Sequence, residues 1–170
     1  MLFGGGFGWD ILCIHSRCIY IYRRMKRSTP IQLECLCASF RQSTRALTQL
    51  YESALRPLGL RATQFTILQA LSLTGEVKQS RLGEILGIDS TTLTRTLEIM
   101  TRKDWIEERR GDDRRERWLQ LSATGRKQFH RALPVWEKVQ LRLRHQLGEA
   151  AWKNLLEMTH AVTALVSAKN

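Results

Sequence analysis

The chain has 170 residues, enough for one domain with a real core, and 43% are hydrophobic, which excludes overall disorder. Its 27 lysines and arginines against 16 acids give a formal net charge of +11, which suits a polyanionic partner, either nucleic acid or an anionic membrane surface. All four cysteines, Cys13, Cys18, Cys35 and Cys37, lie in the first quarter of the chain and cannot staple the fold. No His and Cys residues fall at zinc-finger spacing, and a reducing, cytoplasmic setting is expected.

Residues 1–24 differ from the rest. Gly4, Gly5, Gly6 and Gly8 open the chain, and the apolar stretch 11–22 is interrupted by His15, Ser16 and Arg17. It is too short and too broken to span a bilayer. It also lacks the leading basic region and small-residue cleavage site of a signal peptide, because the basic run 23–27 follows the apolar part. The segment reads as a disordered or loosely attached extension, or as sequence upstream of a start at Met25. A membrane-surface anchor is the rival reading. Residues 25–170 alone carry 24 basic and 15 acidic side chains, a formal +9, so the basic character belongs to the domain.

After Pro30, Leu33, Leu36, Cys37, Phe40, Leu47, Leu50, Tyr51 and Ala54 recur at helical spacing. This predicts a first helix over about 31–55, ended by Pro57 and Gly59. Thr63 is the expected N-cap of a second helix, with Phe65, Leu68 and Leu71 as its apolar stripe and Gly75 as its stop. Two short helical segments follow. The first carries Leu82, Ile85 and Leu86, and Gly87 breaks it. Asp89 or Ser90 caps the second, which buries Leu93, Leu97 and Met100 and turns Thr91, Thr92, Arg95, Glu98 and Arg102 outward. Two helices about a glycine-containing turn form a helix-turn-helix pattern.

Residues 105–110 and 117–121 read as strands on either side of a turn at Gly111, Asp112 and Asp113. A hairpin directly after such a helix pair is a wing. Arg109, Arg110, Arg114, Arg115 and Arg117 crowd its turn, with Glu107, Glu108, Asp112, Asp113 and Glu116 among them. Some of these arginines are therefore expected to be held by carboxylates and to fix the wing. Ser122 caps a further helix with Phe129, Leu133, Trp136, Val139, Leu143 and Leu147 on one face and Pro134 early in it. Gly148 breaks it, and a last helix carries Trp152, Leu155, Leu156, Thr159, Val162 and Leu165. No internal repeat or low-complexity tract is present.

The fold class expected is mainly α with a small β-wing. A winged helix-turn-helix occupies about 60–122, and the helices at about 31–55 and 123–167 remain to form a dimer interface. DNA binding falls to Ser90, Thr91, Thr92 and Arg95, which a recognition helix presents to base edges in the major groove, with a phosphate favoured at the helix N-terminus. The wing arginines reach for the minor groove. Catalysis is not expected. His15, His130, His145 and His160 stand in no recognisable catalytic arrangement, and Gly4, Gly5 and Gly6 neither follow a strand nor open a helix. No cofactor or metal is expected. A winged-helix protein-interaction module is the rival class, disfavoured because the wing keeps its basic residues.

Residues 31–166 resemble the MarR family of bacterial winged helix-turn-helix regulators. The most specific part is Asp113-Arg114-Arg115, followed after five residues by Leu121-Ser122 and then Gly125, similar to the family's D-R-R-x-x-x-x-x-L-[TS]-x-x-G wing signature. Residues 88–106 resemble its recognition helix and following strand, and Leu55-Arg56-Pro57-Leu58-Gly59-Leu60 with Gln64-Phe65 its link between the first two helices. The resemblance implies a single domain over 25–170, dimerised through its N- and C-terminal helices. It implies a palindromic operator, usually repressed, and release by a small phenolic or aromatic effector bound between the dimer helices and the DNA-binding lobe. By the same resemblance, Arg115 sits at the wing tip near the minor groove with Arg114 beside it, and Asp113 positions an arginine without touching DNA.

A peroxide-sensing branch of the family uses a cysteine in the first helix. Cys37, eight residues before Arg45, falls near that place, whereas that branch's two tyrosines correspond to Ala62 and Phe65. The resemblance thus leaves a thiol-based oxidative-stress sensor using Cys37 or Cys35 as an alternative, although residues two apart point to different sides of a helix. The expected partners are double-stranded DNA, a second copy of the chain and an aromatic effector, with no membrane.

Overall fold

The structure, a computed structural model, describes residues 34–113 and 116–167. Two compact units are distinguished, Met1–Arg41 and Gln42–Asn170. Of the first only residues 34–41 are described, where the chain enters α1 (Leu36–Leu55). The helix therefore opens later than Ile31. Cys35 precedes it, and the Cys35 carbonyl accepts the Ser39 N–H at 3.0 Å. The extension 1–24 lies outside the described residues.

α1 tightens into a 3₁₀ turn, Arg56–Leu58, where Pro57 sits at a position whose N–H needs no partner. Gly59 ends the turn at φ +70°, a conformation that glycine adopts without strain. α2 (Ala62–Thr74) is capped by Arg61 and not by the expected Thr63. The reason is tertiary. The Gln64 side chain accepts the Arg61 N–H at 3.1 Å, and Glu52 reaches from α1 to accept the Ala62 N–H at 3.0 Å. With the first donors already paired, Thr63 is drawn into the first turn.

Next come β1 (Val77–Lys78), α3 (Gln79–Leu86), α4 (Ser90–Arg102), β2 (Ile106–Arg110), β3 (Arg117–Leu121), α5 (Ala123–Leu147) and α6 (Glu149–Ser167). The two wing strands match expectation. β1 does not, because two residues are too short to show an alternating pattern. The sheet is antiparallel in the order β1-β3-β2, with Val77 opposite Leu119 and Lys78 opposite Trp118 on one side, and Ile106 opposite Leu121 and Arg109 opposite Trp118 on the other.

The core gathers Phe65, Ile67, Leu68 and Leu71 of α2, Leu82 of α3, Leu93, Leu97 and Met100 of α4, Ile106 and Leu119 of the sheet, and Phe129 and Ala132 of α5. Phe65 stacks on Phe129 at 5.7 Å and on Trp136 at 5.8 Å between ring centroids, which binds α2 to α5. Each fully buried leucine, isoleucine, methionine or phenylalanine among them stabilises the fold by about 1.5–3 kcal/mol relative to exposure. Ser122 caps α5 as expected, its Oγ accepting the Gly125 N–H at 2.8 Å. α5 runs through Pro134 to Gly148.

The predicted apolar stripe of the last two helices is only partly covered. Leu147, Leu155, Leu156 and Leu165 are exposed, with no element among the described residues covering them. No helix among the described residues is long and apolar enough to cross a membrane.

Candidate nucleic-acid interface

The turn between α3 and α4 is made by Gly87 at φ +60°, with the Ile88 N–H returning to the Gly83 carbonyl at 3.0 Å. Asp89 then caps α4, its Oδ1 accepting the Thr92 N–H at 2.9 Å. The Thr92 hydroxyl and then its N–H hold the Asp89 carboxyl below the usual carboxylate range. This carboxylate occupies the electrostatic place expected for a phosphate at the helix start.

Because Leu93, Leu97 and Met100 face the core, Ser90, Thr91, Thr92 and Arg95 are turned outward together, all exposed. Thr91, Arg95, Glu98 and Arg102 follow one another at helical spacing along that outer face. Two side-chain tethers that the sequence did not suggest fix α4 along its length. Gln79 at the start of α3 donates from Nε2 to Thr94 Oγ1 at 2.9 Å, and the Thr101 hydroxyl donates to Glu108 Oε1 on β2 at 2.9 Å. An open cleft of about 930 Å³ runs between the start of α4 and the turn end of the wing, bordered by Ser80, Ser90, Thr94, Glu116 and Arg117.

The wing turn closes with the Gly111 N–H on the Glu116 carbonyl and the Glu116 N–H on the Asp113 carbonyl, both at 2.9 Å. Arg114 and Arg115 lie outside the described residues. Among the described residues, Glu108 with Arg117 is a pairing of the expected kind, whereas Glu107 and Glu116 go to different partners. Glu107 accepts from Gln120 at 2.7 Å, Glu108 stands 4.0 Å from Arg117, and Glu116 pairs with Lys78 of β1 at 2.6 Å. Arg109 pairs with none of them. Its Nε and Nη2 both donate to Glu76, outside the wing. The Arg109 hydrogen bond holds the Glu76 carboxyl below its ordinary range. No sequence signal joins residues 33 positions apart. Arg110 is exposed, with no ion pair among the described residues.

Cys35 and Cys37 are both exposed free thiols. Cys37 lies in the first turn of α1 and Cys35 immediately precedes it. Among the described residues no group of three His, Cys, Asp or Glu is placed to hold a metal ion.

A family model described as the MarR family matches residues 60–116, from just before α2 to the wing turn. The chain is 28% identical over 88 residues to the Bacillus subtilis HTH-type regulator YwoH, and 32% identical over 89 residues to the Staphylococcus aureus HTH-type regulator SarZ. Each match takes in 52% of this chain, and the aligned stretches span 64% and 60% of those two proteins. Among solved structures, the Mycobacterium tuberculosis transcriptional regulator MosR in complex with DNA is 35% identical, with a TM-score of 0.68 over 78% of this chain and 98% of that one. A mutant Escherichia coli MarR complexed with operator DNA superposes with a TM-score of 0.68 over 75% of this chain and 92% of that one, at 22% identity, which speaks to the fold alone.

Proposed function

The chain belongs to the MarR family, and on that premise we propose that it is a transcriptional regulator that binds double-stranded DNA as a homodimer. Ser90, Thr91, Thr92 and Arg95 read base edges in the major groove, and Arg114 and Arg115 follow the wing into the minor groove. Asp113 supports the wing without touching DNA. The observation that carries this reading is the outer face of α4. Ser90, Thr91, Thr92 and Arg95 are exposed there, while buried leucines and the Thr94 and Thr101 tethers hold the helix beside an arginine-rich hairpin.

Dimerisation is supported by apolar residues that lie uncovered among the described residues. Met158, Leu165 and Val166 of α6 are each more than 60% exposed, and Leu155 and Leu156 more than 40%. A second copy of the chain is the natural cover. A two-fold protein calls for a palindromic operator, with half-sites about one helical turn apart. We assign it repression of that operator in the cytoplasm, relieved by a small aromatic ligand or another signal, and no enzymatic activity.

The test is footprinting on the DNA upstream of its own gene, with affinity measured against salt. Two protected half-sites and a steep loss of affinity between low and moderate salt are expected. A flat salt response would favour a protein partner instead. A second reading rests on the exposed thiols: Cys35 and Cys37 sense oxidants and alter DNA affinity. Unchanged affinity after peroxide treatment of the purified protein would sink it.

A further inference from the structure

Lys78, Trp118 and Arg109 stand in one row across β1, β3 and β2, since Lys78 and Arg109 are each in register with Trp118. Directly opposed residues share a face of the sheet, so the indole lies between two cations. Lys78 Nζ is 5.3 Å from its ring centroid and the Arg109 guanidinium carbon 4.9 Å. Each cation has its own carboxylate. Lys78 meets Glu116 at 2.6 Å, and Arg109 meets both oxygens of Glu76, Nη2 to Oε2 at 2.6 Å. The turn packs at the edge of the same ring: a Cβ on Gly111 would lie 3.0 Å from Trp118 Nε1.

Glu76 immediately precedes β1, whereas Arg109 is on β2, and β3 separates those two strands. The Glu76–Arg109 pair therefore spans the full width of the sheet across the face of Trp118. It ties the outer strand of the hairpin, close to its turn, to the segment that leaves α2. The opposite face of β2 is tied to α4 through Thr101 and Glu108. The hairpin is held from both sides.

We propose that Glu76, Arg109 and Trp118 are positioning residues for DNA binding. They hold the wing at a fixed angle to α4, and Arg109 is spent on this clamp instead of on DNA. An exposed ion pair of this kind contributes little to global stability. Its effect is to order the hairpin before DNA arrives, so that binding need not supply the ordering entropy. The inference rests on the DNA-binding reading above.

Glu76→Gln gives the two accounts opposite signs. Removing a negative charge from a DNA-binding lobe strengthens binding if charge alone matters. If Glu76 positions the wing, affinity for the duplex upstream of the chain's own gene falls, by about fivefold for the loss of one ordering contact. Arg109→Ala should weaken binding by a similar factor, and the double variant no further, because the two act as one unit. Hydrogen exchange without DNA should quicken in residues 106–121 and stay unchanged in α2. Unchanged or tighter binding by Glu76→Gln, or additive losses in the double variant, overturns the clamp. If the wild-type chain itself shows no salt-dependent affinity for the duplex, the DNA-binding reading has failed, and not the clamp alone.

Discussion

Gly125, in the first turn of α5, lies against the backbone carbonyl of Trp105: a Cβ placed on Gly125 would fall 1.9 Å from the Trp105 oxygen and 2.8 Å from its carbon. The contact holds the start of α5 against the entry to β2. It is reinforced by the Ser122 N–H, which donates to the same Trp105 carbonyl at 3.2 Å. This gives a physical reason for the terminal glycine of the wing signature. Backbone meets backbone there, and no side chain can swing aside.

Gly125→Ala should therefore destabilise the protein by about 3 kcal/mol or more, since the overlap can be relieved only by moving α5 or β2. Denaturant unfolding would show it as a lower midpoint. An alanine variant of wild-type stability would mean that the close approach is not maintained in solution.

Stability should fall in acid through carboxylates held below their ordinary range. Asp89 is held down by Thr92, Glu76 by Arg109 and Glu149 by Arg144. A group with a depressed folded-state value contributes stability that is present above its unfolded value and lost as pH falls through the folded one. The decline should thus set in below about pH 4. All three groups are exposed, so the effect is modest and salt-sensitive. Asp89→Asn should flatten part of it in pH-dependent thermal melts while keeping a cap on α4, because asparagine also accepts from the Thr92 N–H.

Arg95→Ala and Arg115→Ala should separate base reading from wing anchoring. The first is expected to relax base preference by about 1–3 kcal/mol if Arg95 contacts a base. The second should lower affinity across sequences and reduce the salt slope by about one. Competition binding with permuted sites distinguishes them, and a uniform loss for Arg95→Ala would make it a phosphate contact.

Leu155→Asp together with Leu165→Asp should release monomers without unfolding the DNA-binding lobe. Both side chains are exposed on α6, which has no buried residue of its own among those described. Sedimentation velocity would report the change. An unchanged sedimentation coefficient would place the subunit contact elsewhere.

Much of this molecule was legible in the order of its residues. Gly75, Gly87 and Gly148 end helices where expected, Asp89 and Ser122 cap α4 and α5, and the hairpin occupies the predicted strands. Caps, glycine stops and apolar spacing act over three or four residues, so the sequence displays them directly. The outward set Ser90, Thr91, Thr92 and Arg95 follows from the same spacing, once Leu93, Leu97 and Met100 are turned inward.

Tertiary structure decided what depends on residues far apart. It moved the cap of α2 from Thr63 to Arg61, because Glu52 arrives from another helix. It added β1, which exists only because β3 offers it a ladder. It also sorted the wing's arginines, pairing Arg109 with Glu76 across the face of Trp118. Charge and composition can say that acids and arginines are crowded together. Which of them meet is set by strand order and register, and those are settled only when the whole sheet closes.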